Sequence, residues 1–265
     1  MEIDNYDDPC QIVIQENPEQ SLRVTYKTPE ELSELQEQHL IEQFTIMNQA
    51  IYSKDPTGEA FCQYIDVNSI ARYFIVREIL HDTDGYNGSF YLHKDLVEDS
   101  KWNFGPLWDL SFGGKKNDWI MYDHPGFSQI HWIEPIFHTD AFQSALYEQW
   151  NALMLKIDDI YPYINSLTER CEAADAANNK RWPDISNPDT KSKAGKLINE
   201  MKYNIQWINN KLSVSSADNP IAKPGNSNIR WFNMQGIEVA DDDIISGVYI
   251  RVDQNGASKI LRRRN

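Results

Sequence analysis

Residues 79–114 read ILHDTDGYNGSFYLHKDLVEDSKWNFGPLWDLSFGG, and this stretch decides the fold class. It opens at the end of an apolar helix, passes through an acidic turn, and continues as a strand, a turn and a second strand. It ends at Trp108-Asp109 and a Gly-Gly pair. The reading is a β-hairpin flanked on both sides by carboxylates. A hairpin holds its two loops in fixed register, so acids before the first strand and after the second meet at one end. Asp84 and Asp109 are the expected neighbours. Carboxylates gathered in this way bind a divalent cation or move a proton. Asp-Gly is a favoured turn pair, and Asp82 is assigned to building the turn with Gly85.

Working outward, the helix before the hairpin is expected from a cap at Asp66 to about His81, with Val67, Ile70, Ala71, Phe74, Ile75 and Ile79 on a wide apolar face. Residues 10–27 alternate as two strands joined by a turn at Asn17 to Gln20. Thr28, Pro29 and Glu31 then supply an N-cap, a first-turn proline and a capping-box acid for a helix carrying Leu32, Leu35, Leu40, Phe44, Met47 and Ile51. After a loop-rich stretch from 113 to 135, helices are expected at about 137–157, 159–178 and 191–212. The last of these has an apolar stripe of Ile198, Met201, Ile205, Ile208 and Leu212. Residues 213–228 read as a linker. Residues 229–265 read as a small β module whose runs are divided by Gly236, Gly247 and Asn255-Gly256.

The fold class is therefore α+β, mainly helical, with a hairpin at the site and a β tail. Forty acidic against twenty-five basic residues give a net charge of −15, which repels polyanions and argues against nucleic acid as a partner. Cys10, Cys62 and Cys171 are too scattered for a CxxC zinc site or a disulfide framework, and buried free thiols are expected. No run of eighteen apolar residues is present to span a membrane as a helix. The acidic opening EIDNYDDP lacks the basic and apolar regions of a signal peptide and reads as starting in mid-strand. An upstream extension is expected.

Three separated runs, REILHDTDGY, SFYLHKD and FGPLWDLSFGG, carry a resemblance to the spore coat protein H (CotH) family of atypical protein kinases. That family shares a helix ending in an acidic turn, an "SfYlyKD" strand and a "GPlWDfD" strand end. The match is dense over about fifty residues and looser from Glu2 to about Leu212. It implies the C-terminal lobe of a kinase-like fold in residues 1–212 and transfer of the γ-phosphoryl of ATP to Ser or Thr hydroxyls of a protein substrate, with Mg²⁺ and ATP as cofactors. Asp84 is then the counterpart of the base that accepts the proton of the attacking hydroxyl, and Asp109 that of the metal-holding aspartate. The asparagine that usually stands five residues after the base is replaced by Ser89, with Asn87 nearby; these are the secondary metal and nucleotide ligands. Ser111 stands where many relatives carry a second acid.

A kinase also needs a phosphate-covering loop and a lysine paired with a glutamate. The first eighty residues hold no glycine-rich loop, and Lys27 reads as a solvated strand residue. The nucleotide-clamping lobe is expected upstream of Met1. His124, His131 and His138 recur every seven residues, but Pro125, Gly126 and Pro135 exclude one helix, so they read as scattered loop histidines and not as a zinc site. Trp102, Trp108, Trp119 and Trp132 are candidates to line a sugar-binding cleft, although Trp102 and Trp108 read equally as sharing the core side of one strand. WFNMQGIEV followed by GVYIRV resembles the C-terminal module of secreted proteins of Bacteroidetes-type bacteria, which implies an extracytoplasmic or cell-surface protein. The alternatives to the kinase reading are a non-catalytic surface or coat-assembly protein that keeps the fold, favoured by Ser89 and Ser111, and a carbohydrate-active enzyme using Asp84 and Asp109.

Overall fold

Strand β1 (Glu2–Ile3) lies between β3 (Gln20–Thr25) and β4 (Phe90–His93) in a computed structural model of the chain. With β2 (Gln11–Asn17) and β5 (Asn103–Phe104) these form one antiparallel sheet of order β2-β3-β1-β4-β5. The structure describes residues 1–3, 11–17, 20–29, 31–86, 90–95, 97, 99–123, 131–183, 189–218, 230–232, 238–239, 247–253 and 256–262. Alternation in β2 and β3 sends Ile12, Ile14, Leu22 and Val24 into the core and leaves Val13 exposed, as a half-buried hairpin requires.

Helix α1 (Glu34–Ile51) starts later than its sequence signal suggests. Ser33 is the N-cap, and it exchanges bonds with Gln36 as a capping box. Thr28 and Pro29 belong to the preceding turn, and Leu35 is 80% exposed, so the buried stripe reduces to Phe44, Met47 and Ile51. A short α2 (Glu59–Cys62) leads to α3 (Val67–Leu80), where Asp66 caps the helix by accepting from the Asn68 amide. Ile70, Ala71, Phe74, Ile75 and Ile79 of α3 are all buried.

Strands β4 and β5 form the expected hairpin, paired Leu92 to Phe104 and His93 to Asn103. Tyr73 of α3 meets Phe90 and Phe104 edge-on, at ring separations of 5.2 and 5.9 Å. Phe104 also donates its amide to the Ser69 hydroxyl. The helix and the hairpin are therefore locked face to face. The stretch expected as loop contains two short helices, α4 (Ile120–Asp123) and α5 (Ile133–Phe137).

Helix α6 (Asp140–Met154) is capped by Thr139 and supplies the buried Phe142, Leu146 and Trp150. It is followed by α7 (Ile157–Arg181) and α8 (Thr190–Asp218). The α8 stripe expected from sequence, Ile198 to Leu212, is buried throughout.

Of the tryptophans, Trp102 and Trp132 are core residues and Trp119 packs between Phe74 and Trp207. Trp108 is 60% exposed and lies beyond β5. The two residues expected on one strand face thus have opposite environments, and the four do not line a common cleft. Cys62 is half-buried and Cys171 exposed, both free, which corrects the expectation of buried thiols; Cys10 lies outside the described residues.

The chain divides into Met1–Leu212 and Ser213–Asn265. Six residues expected in the linker, 213–218, continue α8. Within the second unit, β6 (Arg230–Phe232), β7 (Glu238–Val239), β8 (Gly247–Asp253) and β9 (Gly256–Arg262) form an antiparallel sheet of order β7-β6-β8-β9. Gly247 opens β8 and Gly256 opens β9, while Gly236 and Asn255 lie outside the described residues.

Phe74 is fully buried among Trp119, Phe137 and Phe142, where α3, the 113–135 stretch and α6 converge. Phe74→Ala is expected to cost about 3–5 kcal/mol of stability, measured by urea denaturation followed by far-ultraviolet circular dichroism.

Candidate functional site

The C-terminal end of α3 is the structural origin of the site. His81 takes a left-handed conformation (φ 53°), its amide donates back to the Glu78 carbonyl, and the Asp82 amide donates to the Arg77 carbonyl. This double closure is a Schellman motif with histidine in the position glycine usually fills. It reverses the chain so that the Asp82 carboxylate comes back onto the guanidinium of Arg77, and the two form an ion pair with both side chains fully buried. Desolvation works against the Arg77 charge, but Tyr73 and Asp82 more than offset it and hold the guanidinium charged.

Asp82 is thus a buried structural anion as well as the turn-building residue expected from sequence. Its Oδ1 accepts from the Asp84 amide at 3.1 Å and from the hydroxyl of Ser111. Arg77 Nη2 donates to the Trp108 carbonyl at 2.7 Å. One ion pair therefore holds both acidic segments, the turn bearing Asp84 and the strand end bearing Asp109. Gly85 also has a packing reason beyond turn preference: a Cβ there would lie 2.2 Å from the Arg77 guanidinium. Tyr73 completes the turn by donating its hydroxyl to the Gly85 carbonyl at 2.6 Å, and burial pushes the Tyr73 phenol well above its ordinary range.

Asp109 itself adopts a left-handed backbone, φ 46°. For a residue with a Cβ this costs about 1–2 kcal/mol, which Asp tolerates better than most. The bonds to Trp108 on one side and Ser111 on the other hold it there. The side chains of Asp84 and Asp109 are exposed and make no hydrogen bond or ion pair with described residues, in contrast to the buried Asp82. Asn87 and Ser89, the other expected ligands, lie outside the described residues.

The segment after Asp109 is fastened to α3 and α8 by a second buried network, which sequence reading missed. Gly113 donates its amide to the Leu80 carbonyl, and a Cβ there would fall 2.1 Å from the His81 carbonyl oxygen. Asn204 of α8, fully buried, donates to the Ile79 and Gly114 carbonyls and accepts from the Lys116 amide. Lys116 pairs with Glu78, both fully buried, and Glu78 also accepts the amides of Ile120 and Met121. Burial raises the Glu78 carboxyl, and Lys116 with the two amides pulls it back toward the charged form. The available signal was Arg77-Glu78 itself: two charges within the apolar run of α3 demand partners.

Lys27 lies just beyond β3 and pairs with Glu2 at 2.7 Å. His138 bonds the Tyr122 hydroxyl at 2.7 Å, and His124 lies outside the described residues. A cavity of about 1020 Å³ runs along β4 and the start of α1, lined by residues including Lys27, Leu40, Tyr91, His93, Trp102 and Pro106. Neither Asp84 nor Asp109 lines it, although Pro106 is three residues from Asp109 and the ring of Tyr91 meets Trp108 edge-on.

The family model described as CotH kinase protein matches residues 5–214. The chain belongs to the CotH kinase family. No curated protein and no solved structure matches it with significance. Asp84 and Asp109 within the matched region are exposed carboxylates with no hydrogen bond or ion pair to described residues. Among the described residues no three His, Cys, Asp or Glu side chains gather into a metal site. The donors nevertheless suit Mg²⁺, a hard cation usually held through one or two carboxylates together with substrate phosphates and water.

Lys116→Met leaves Glu78 as an uncompensated buried charge and is expected to destabilise the chain by about 3–5 kcal/mol. Adding Glu78→Gln should recover part of that loss. Denaturant midpoints of the two single variants and the double variant measure the coupling.

Proposed function

We propose that, in the intact protein, this CotH-family domain serves transfer of the γ-phosphoryl group of ATP to a Ser or Thr hydroxyl of a protein substrate. One observation carries the reading. The buried Arg77–Asp82 pair fastens two segments whose only unengaged carboxylates, Asp84 and Asp109, are those that the family pattern assigns to proton acceptance and metal holding. Phosphoryl transfer asks little covalent chemistry of the protein. It needs positioning, a proton acceptor and charge neutralisation, and a rigid pair of exposed carboxylates supplies the first two. Asp109 would hold Mg²⁺, which neutralises phosphate charge when bound, and Ser89 or Asn87 would be the further ligand. Asp84 would take the proton of the attacking hydroxyl.

The apolar cavity along β4 is of a size and lining suited to a purine ring. The resemblance of the tail runs WFNMQGIEV and GVYIRV to the C-terminal module of secreted Bacteroidetes-type proteins supports an extracytoplasmic, cell-surface location. The second reading, a non-catalytic surface or coat-assembly protein, is favoured by Ser111: it turns its hydroxyl to Asp82 where a second acid would serve a two-metal site.

Calorimetry separates the two readings. The intact protein is expected to bind ATP only in the presence of Mg²⁺, and Asp109→Ala to abolish that binding. Asp84→Asn is expected to bind Mg²⁺ and ATP normally while lowering phosphoryl transfer by about 10²-fold or more. Absence of nucleotide binding by the intact wild-type protein would contradict the kinase reading and leave the binding-protein reading standing.

A further inference from the structure

Ser111 occupies the position where the family pattern often has an acid, and its contact defines another role. Its hydroxyl donates to Asp82 Oδ1, the oxygen that also accepts the Asp84 amide, while Asp82 Oδ2 takes the Arg77 guanidinium. Asp82 has no exposed side-chain surface, so a hydrated cation, which Mg²⁺ prefers to remain, cannot reach it. Asp82 is therefore removed from metal binding by burial and by its partners. Ser111 carries no charge to offer a cation and is two residues from Asp109.

We infer that Ser111, Asp82 and Arg77 form a positioning unit: the Ser111 hydroxyl sets the place of the Asp109 carboxylate relative to Asp84, and the site so built holds a single divalent ion. The inference rests on the phosphotransfer reading for what the ion does, but the tether is a property of the chain itself. Two independent links cross from the Asp109 segment to the Asp82 turn. One is the Trp108 carbonyl held by Arg77, and the other is the Ser111 hydroxyl held by Asp82. Between them Asp109 is kept in a left-handed backbone conformation that it would otherwise leave. Removing only the Ser111 link frees one side of Asp109 and leaves the buried ion pair, and hence the fold, in place.

The test titrates Mn²⁺ into the full chain in the presence of the non-hydrolysable imido analogue of ATP, with free Mn²⁺ followed by electron paramagnetic resonance. The wild type is expected to bind one ion. Ser111→Ala should bind it about 10-fold more weakly or worse, in line with other losses of a bond that orients a metal ligand, while Ser111→Thr, which keeps the hydroxyl, should restore the affinity. Circular dichroism of each variant checks that the fold is kept. Amide hydrogen exchange across 108–113 reads the tether without any metal, and exchange should be faster in Ser111→Ala than in wild type or Ser111→Thr.

A folded Ser111→Ala chain with wild-type Mn²⁺ affinity and unchanged exchange would overturn the inference, as would two ions bound by the wild type. A wild type that binds no Mn²⁺ would overturn the single-ion site and the phosphotransfer reading together. Faster exchange in Ser111→Ala alongside such a result would show that the phosphotransfer reading failed while the tether itself was real.

Discussion

The ion pair between Arg77 and Asp82 is the interaction on which the rest of the site depends. Both side chains are withdrawn from water, and a charge in that position is tolerated only with a partner and further hydrogen bonds. The surrounding backbone supplies them. The Trp108 carbonyl, the Asp84 amide and the Ser111 hydroxyl are all drawn to the pair. The requirement to satisfy two buried charges thus becomes a geometric constraint on two segments twenty-five and more residues apart in sequence. Gly85 is needed because the guanidinium fills the space of its missing Cβ, and Gly113 because the returning segment touches the end of α3.

A second layer extends the same logic. Glu78, next to Arg77 in sequence, pairs with Lys116, both fully buried, and Asn204 links the Lys116 amide to two carbonyls from the α3 end and the Gly-Gly pair. Through these bonds the segment after Asp109 is tied to the core. Its conformation is set by bonds to α3 and α8 and not by local turn preference. The two exposed carboxylates are therefore presented from a rigid base, which is what a site relying on positioning and electrostatics requires.

Much of this was legible in the sequence because it is encoded locally. The hairpin, the Asp66 cap, the apolar faces of α3 and α8 and the β tail all follow from periodicity and turn residues. The start of α1 was misplaced because two capping signals stand five residues apart. Ser33 with Gln36 makes the actual box, and Thr28 with Glu31 imitates it.

The assignment of Asp82 to the turn and Asp84 to the site was legible, but the burial of Asp82 against Arg77 was not. Two residues apart in one turn, they have the same local chemistry, and only the non-local approach of Trp108 and Ser111 buries one and leaves the other exposed. The contact of Ser111 was not legible for the same reason: as a sequence position it is a missing carboxylate, and in the fold its hydroxyl also donates to Asp82.

The most direct measurement of the central claim is the place of the cation. Crystals of the full chain grown with Mn²⁺ and an ATP analogue, examined by anomalous diffraction, are expected to show one ion on the Asp109 carboxylate at about 2.0–2.2 Å, with Asp82 still buried against Arg77 and Ser111. An ion on Asp82, or a site in which Arg77 and Asp82 have separated, would contradict the account.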